Sequence, residues 1–125
     1  MKAKPTSGEL MILQVLWDRG PSTVRQVHAC LENKTDAGYT TTLKLMQIMA
    51  EKGLVRRDER ERAHVYRATL KQVETQGRLV DDLVERAFGG SAAALVMRAL
   101  STKKASRAEL AEIRRLLDEY EGGAQ

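Results

Sequence analysis

Between residues 40 and 51 the chain carries side chains that can meet hydrogen-bonding edges: Thr40, Thr41, Leu43, Lys44, Gln47 and Glu51. They are small, hydroxylic, or able to donate and accept, with one cation and one acid. Short side chains at the start of a helix let its backbone approach a groove closely. Donors and acceptors then meet base edges and phosphates. A few residues on, the run RRDERER supplies Arg56, Arg57, Arg60 and Arg62. Guanidinium groups on a short hairpin suit phosphate oxygens. The chemistry expected of residues 38–67 is therefore recognition of duplex DNA, with Thr40, Thr41, Leu43, Lys44 and Gln47 toward the bases. Arg60 and Arg62 are expected on the backbone. Arg56 and Arg57 point to opposite sides of a strand, so one of them at most faces DNA and the other pairs with Asp58 or Glu59.

Residues that could do covalent or metal chemistry form no pattern. There is no Gly-rich phosphate loop, no nucleophile motif and no paired carboxylates in an identifiable cleft. Two histidines and one cysteine give no metal-ligand spacing. No enzymatic activity, cofactor or metal is expected. Cys30 excludes an intramolecular disulfide and is predicted to be a buried thiol on the apolar side of its helix. His28 is predicted at a surface or boundary. His64 reads as a packed strand residue or a phosphate contact, and Trp17 as core.

The elements that must position these groups are legible from periodicity. Thr6-Ser7-Gly8-Glu9 is a capping box that opens a first helix, with Leu10, Leu13, Leu16 and Trp17 on its apolar face. Asp18-Arg19-Gly20-Pro21 breaks it. Ser22 or Thr23 caps a second helix with Val24, Val27 and Leu31 inward, its first N–H groups near a phosphate. A third helix is predicted over Thr40–Lys52, with Thr42, Leu45, Met46 and Met49 packed inside and Gly53 as a left-handed stop. Leu54-Val55 and Ala63-His64-Val65-Tyr66 then read as strands. This is a winged helix-turn-helix.

Beyond residue 70 the pattern changes to helices with long apolar faces. Gly89-Gly90 ends the first of them. Ser91 caps a second, ending near Ser101, and Ser106-Arg107-Ala108-Glu109 opens a third; Glu121–Gln125 read as a frayed tail. Val80, Leu83, Val84, Leu95, Leu110, Ile113, Leu116 and Leu117 exceed what so small a unit can bury against itself. A second copy is the expected partner, which gives a homodimer presenting two reading helices to a palindromic site. The expected fold is mostly α with a small β-hairpin: a winged DNA-binding domain over residues 1–70 and a three-helix dimerisation region over 71–125.

Charge agrees with that division. Of a net +4, residues 1–70 hold 12 Lys and Arg against 8 Asp and Glu, and residues 71–125 hold 9 against 9. A basic half beside a neutral half fits a polyanion-binding unit joined to something else. The start of the chain, MKAKPTSGE, has no apolar core of a signal sequence, and no membrane insertion is expected. A cytoplasmic location is expected.

Several runs together resemble the penicillinase-repressor family of bacterial transcriptional repressors (BlaI/MecI/CopY type). They are Glu9–Trp17, Thr23-Val24-Arg25, Tyr39–Thr42 leading to Met49–Val55, Arg62–Tyr66, Phe88-Gly89-Gly90 and Glu109–Leu117. The resemblance covers roughly residues 6–120. It implies a homodimeric winged-helix repressor on an inverted-repeat operator, with Thr40, Thr41, Leu43 and Lys44 approaching DNA. Thr42 replaces a usual aliphatic residue. The resemblance also implies, for antibiotic-resistance members, a membrane metalloprotease pathway that cuts an Asn-Phe bond in the dimerisation region. The matching bond is Arg98-Ala99, a departure. The Cys-x-Cys hook of the copper-responsive branch is missing. The other reading of the same elements is a winged helix that serves as a protein-interaction module, which would show a contiguous apolar patch on the third helix.

Overall fold

The computed structural model describes residues 4–123. Its elements run α1 Ser7–Arg19, β1 Ser22–Thr23, α2 Val24–Leu31, α3 Tyr39–Lys52, β2 Val55–Asp58, β3 Val65–Ala68, α4 Gln72–Ala87, α5 Ala92–Thr102 and α6 Arg107–Gly123. The chain divides into two compact units within α4, between Gly77 and Arg78.

In the first unit the helix starts are fixed by side chains. Thr6 and Thr23 each accept the N–H three residues on, at 3.2 Å, and Glu9 and Gln26 reach back to the cap N–H at 2.9 Å. Each box satisfies two donors that a helix start leaves open. At the end of α3, Gly53 sits at φ +82°, and the Leu54 N–H reaches Met49 O at 2.9 Å. Only glycine adopts that backbone without strain.

The core gathers Ile12, Leu13 and Leu16 from α1, Val24, Val27 and Leu31 from α2, and Met46 and Met49 from α3. Leu54, Val55 and Tyr66 close it from the sheet side. Burying each such side chain stabilises the fold by roughly 1.5–3 kcal/mol. Trp17 packs at the margin and donates its indole N–H to Leu70 O at 2.9 Å. Among the described residues, one buried side chain is charged. Glu9 is 1 % exposed and receives Lys52 Nζ at 2.8 Å, which joins the start of α1 to the end of α3.

The sheet differs from expectation in two ways. It has three strands, in the order β1-β3-β2, because Ser22 pairs with Tyr66 and Thr23 with Val65. A two-residue strand carries too little sequence to be seen as one. The hairpin strands also lie further along the chain, over Val55–Asp58 and Val65–Ala68. This register sets Val55, Arg57, Tyr66 and Ala68 on one face, with Val55 and Tyr66 buried. Arg56 and Arg57 are thus strand residues, and the tip is Glu59–His64.

In the second unit, among the described residues, Val84 alone is buried. Gly89 and Gly90 separate α4 from α5. Ser91 caps α5 and Ser106 caps α6, in agreement with expectation. Residues Glu121–Gly123 continue α6 and are not a frayed end. Ala124 and Gln125 lie outside the described residues. No described helix is long and apolar enough to cross a membrane.

Candidate nucleic-acid interface

Successive residues of α3 turn by about 100°. Thr42, Met46 and Met49 are at most 1 % exposed and lock one side of the helix into the core. Thr40, Lys44, Gln47 and Glu51 therefore share the opposite side, and all four are exposed. Thr41 is exposed beside them. The side chains of Thr40, Thr41, Lys44 and Gln47 make no hydrogen bond or ion pair with any described residue. Leu43, expected to face outward, and Ile48 are half-buried on the two flanks, and Ile48 lines a shallow hollow with Leu45, Thr40, Thr41 and Lys44.

Thr42 shows how a hydroxyl is accommodated where an aliphatic residue would fit. Its Oγ1 lies 3.4 Å from Gly38 O and 3.4 Å from His28 Nδ1. His28 in turn meets the Tyr39 ring edge-on, with centroids 5.9 Å apart and planes at 88°. The Arg25 guanidinium stands 5.6 Å from the Tyr39 ring centroid. Sequence reasoning misses both Arg25 and Tyr39. The aromatic-cation pairing needs the turn from α2 to α3, which periodicity does not reveal.

The wing arginines divide into two kinds. Arg60 clasps Asp58 through Nε and Nη2 at 2.7–3.1 Å, and the Arg60 N–H also donates to Asp58 Oδ1 at 3.0 Å. These donors hold the Asp58 carboxyl down at about 2. Arg57 stands 3.6 Å from Glu59. By contrast, Arg56 and Arg62 are exposed and make no hydrogen bond or ion pair with a described residue. Across the hairpin Arg56 faces Arg67, a like-charge pair on the outward face.

Two residues of the expected DNA contact are placed differently. Ser22 is 1 % exposed and its hydroxyl donates to Gly20 O at 2.8 Å, so its side chain cannot reach a phosphate. Thr23 spends its hydroxyl on the Gln26 N–H but stays half-buried at the surface. Cys30, expected inside, is exposed; it lies about a quarter-turn of α2 away from the core stripe of Val24, Val27 and Leu31. In the expected dimer surface Val84 is already covered within the chain, whereas Val80, Leu83, Leu116 and Leu117 are exposed. Leu95, Leu110 and Ile113 are half-buried. Val96, Met97, Leu100 and Tyr120, absent from the expected surface, are exposed as well.

One cleft of about 390 Å³ joins four parts of the first unit. Thr23, Val24 and Arg25 line it from β1 and α2, Tyr39 and Leu43 from α3, and Arg62, Ala63 and His64 from the wing. The cleft thus opens directly beside the outward residues of α3.

The family described as penicillinase repressor matches residues 5–119. The transcriptional regulator BlaI of Mycobacterium tuberculosis, in strains CDC 1551 / Oshkosh and ATCC 25618 / H37Rv, is 35 % identical over 117 residues. That span is 92 % of this chain and 83 % of the relative. Among solved structures, the DNA binding domain of the repressor BlaI aligns with TM-score 0.50 at 20 % identity, over 58 % of this chain and 90 % of that one. A transcriptional regulator from Thermotoga maritima aligns with TM-score 0.51 at 20 % identity, over 94 % of this chain and 74 % of the other. The structural likenesses speak for the fold, and the sequence matches over nearly the whole length speak for descent: the chain belongs to the penicillinase repressor family.

Proposed function

We propose that this chain is a DNA-binding transcriptional repressor that acts as a homodimer on an inverted-repeat operator. The observation that carries the DNA half is the outward side of α3. Thr40, Thr41, Lys44 and Gln47 are exposed and unbonded on a helix whose other side is fixed in the core. Groups held so rigidly and left unsatisfied suit a major groove. The homodimer is supported by the second unit, where α4, α5 and α6 show exposed Val80, Leu83, Met97, Leu116 and Leu117 while only Val84 is buried among the described residues. Helices with so little interior need a partner, and a second copy supplies the same faces.

Release by a membrane metalloprotease pathway would act at Arg98-Ala99. That bond lies inside α5, and Arg98 O accepts the Ser101 and Thr102 hydroxyls. A protease needs extended chain, so cleavage there requires α5 to unwind first.

The test is a fluorescence-polarisation titration with the duplex upstream of the chain's own gene. Tight binding is expected, and Lys44→Ala is expected to weaken it by about 1–3 kcal/mol. No binding by the wild type would favour the interaction-module reading. An unchanged affinity in Lys44→Ala would remove that residue from the reading face.

A further inference from the structure

The cleft between α2, α3 and the wing holds two cations without a carboxylate partner. Arg25 and Arg62 both line it, and neither makes an ion pair with a described residue. Of the other wing arginines, Arg60 is neutralised by Asp58 and Arg57 by Glu59, while Arg56 is unpaired among the described residues but does not line the cleft. Two like charges facing one hollow repel each other. An anion between them removes that repulsion and gains charge-assisted hydrogen bonds. Arg25 is also held in place. Its guanidinium lies over Tyr39, Tyr39 is braced by the edge-on His28 ring, and His28 Nδ1 lies 3.4 Å from the buried Thr42 hydroxyl. A chain of contacts thus runs from the core to a surface cation. Such bracing lowers the rotamer entropy that a long side chain loses on binding.

We infer that this cleft seats a backbone phosphate of the DNA flanking the bases that α3 meets, with Arg25 and Arg62 as its ligands and Tyr39 as the residue that positions Arg25. The inference rests on the DNA-binding reading above. It adds Arg25 and Tyr39 to that interface, gives them separate roles, and makes Arg62 rather than Arg60 the wing's phosphate ligand. A phosphate contact carries no base information, so its loss weakens all duplexes alike.

The experiment titrates the full chain against two labelled duplexes, one from its own promoter and one of unrelated sequence, over a series of salt concentrations. Arg25→Ala and Arg62→Ala are each expected to weaken both duplexes by a similar factor, roughly tenfold. Each should also reduce the slope of log affinity against log salt by about 0.9 per protomer. Tyr39→Phe keeps the ring and should behave as wild type. Tyr39→Leu should lose as much as Arg25→Ala, and the double variant no more than Arg25→Ala alone. Arg25 is exposed and Tyr39 is 40 % exposed, so neither change hollows the core; melting curves check that. An unchanged salt slope, or a loss confined to the promoter duplex, overturns the phosphate site while DNA binding itself stands. Additive losses in the double variant overturn the positioning role of Tyr39. Wild-type protein that ignores both duplexes yet binds polyglutamate would overturn the site and the DNA-binding reading together.

Discussion

Replacing Lys52 by methionine tests how the first unit holds α3. The wild-type Nζ lies 2.8 Å from Glu9 Oε2, and the Glu9 side chain is 2 % exposed. Methionine keeps the length of the stem and removes the cation. Glu9 would retain the Thr6 N–H, at 2.9 Å, as its one strong donor. Stripping the partner from a fully buried ion pair costs about 3–5 kcal/mol, whereas exposed pairs are worth at most about 1. The Lys52 side chain is 35 % exposed, so the pair falls between these limits, at roughly 2 kcal/mol. For a unit of this size that is a melting shift of roughly 10 °C.

The pH dependence separates this cause from lost packing. Burial pushes the Glu9 carboxyl up, but Lys52 and the Thr6 cap outweigh it and hold the group below its ordinary value. A lowered carboxyl contributes stability that is present above the ordinary carboxylate range and is lost as pH falls. Without Lys52 burial is less opposed, the carboxyl rises, and protonation relieves the variant as pH falls. The gap between wild type and Lys52→Met is therefore widest near pH 7 and narrows toward pH 4. Urea unfolding at fixed protein concentration across that range measures it. A gap that stays constant with pH, or one below about 0.5 kcal/mol at pH 7, would falsify the reasoning. The double variant Glu9→Gln/Lys52→Met should regain much of the loss, since no charge is then left buried.

The same geometry bears on three further variants. Asp58→Asn keeps an acceptor for the Arg60 N–H but releases its guanidinium. Duplex binding should tighten a few-fold with a salt slope steeper by at most about 0.9 per protomer, and an unaltered slope would mean that Arg60 stays clear of DNA. Leu83→Asp or Leu116→Asp places a charge on an exposed apolar face of α4 or α6. Sedimentation should show monomer and weakened duplex binding, and an intact dimer would remove that residue from the interface. Gly53→Ala should cost about 1 kcal/mol through backbone strain alone, because φ is +82° and no atom lies within 4 Å of an added Cβ. A melting curve identical to wild type would contradict the left-handed cap.

The helices and their caps are legible in the sequence because both signals are local. Thr6, Thr23, Ser91 and Ser106 each sit where a hydroxyl precedes an apolar period, and the hydrogen bonds are formed. The Thr42, Met46 and Met49 stripe is equally plain. The hidden features depend on residues far apart in sequence. Strand β1 exists only because β3 lies beside Ser22 and Thr23. Glu9 reads as half of a capping box, and its burial needs Lys52, which lies 43 residues on. Arg60 and Arg62 look alike in RRDERER, and only the turn places Asp58 against the first and leaves the second free. Cys30 extends an apolar pattern by one position too many, and α2 turns it outward.

The strand order has a consequence for how two copies can meet. With β3 in the middle, β2 is an edge strand of the sheet among the described residues. Such an edge can recruit a strand from another molecule, and a protein that pairs elsewhere brings two such edges to high local concentration. Here the edge carries Arg56, Arg57 and Asp58 in a row, and the opposite edge, β1, is two residues long. Neither can template a continuous sheet without bringing like charges together or running out of ladder. The acids and arginines of the wing therefore oppose edge-to-edge pairing. They leave helical faces, not sheet edges, as the surface open to the proposed pairing of copies.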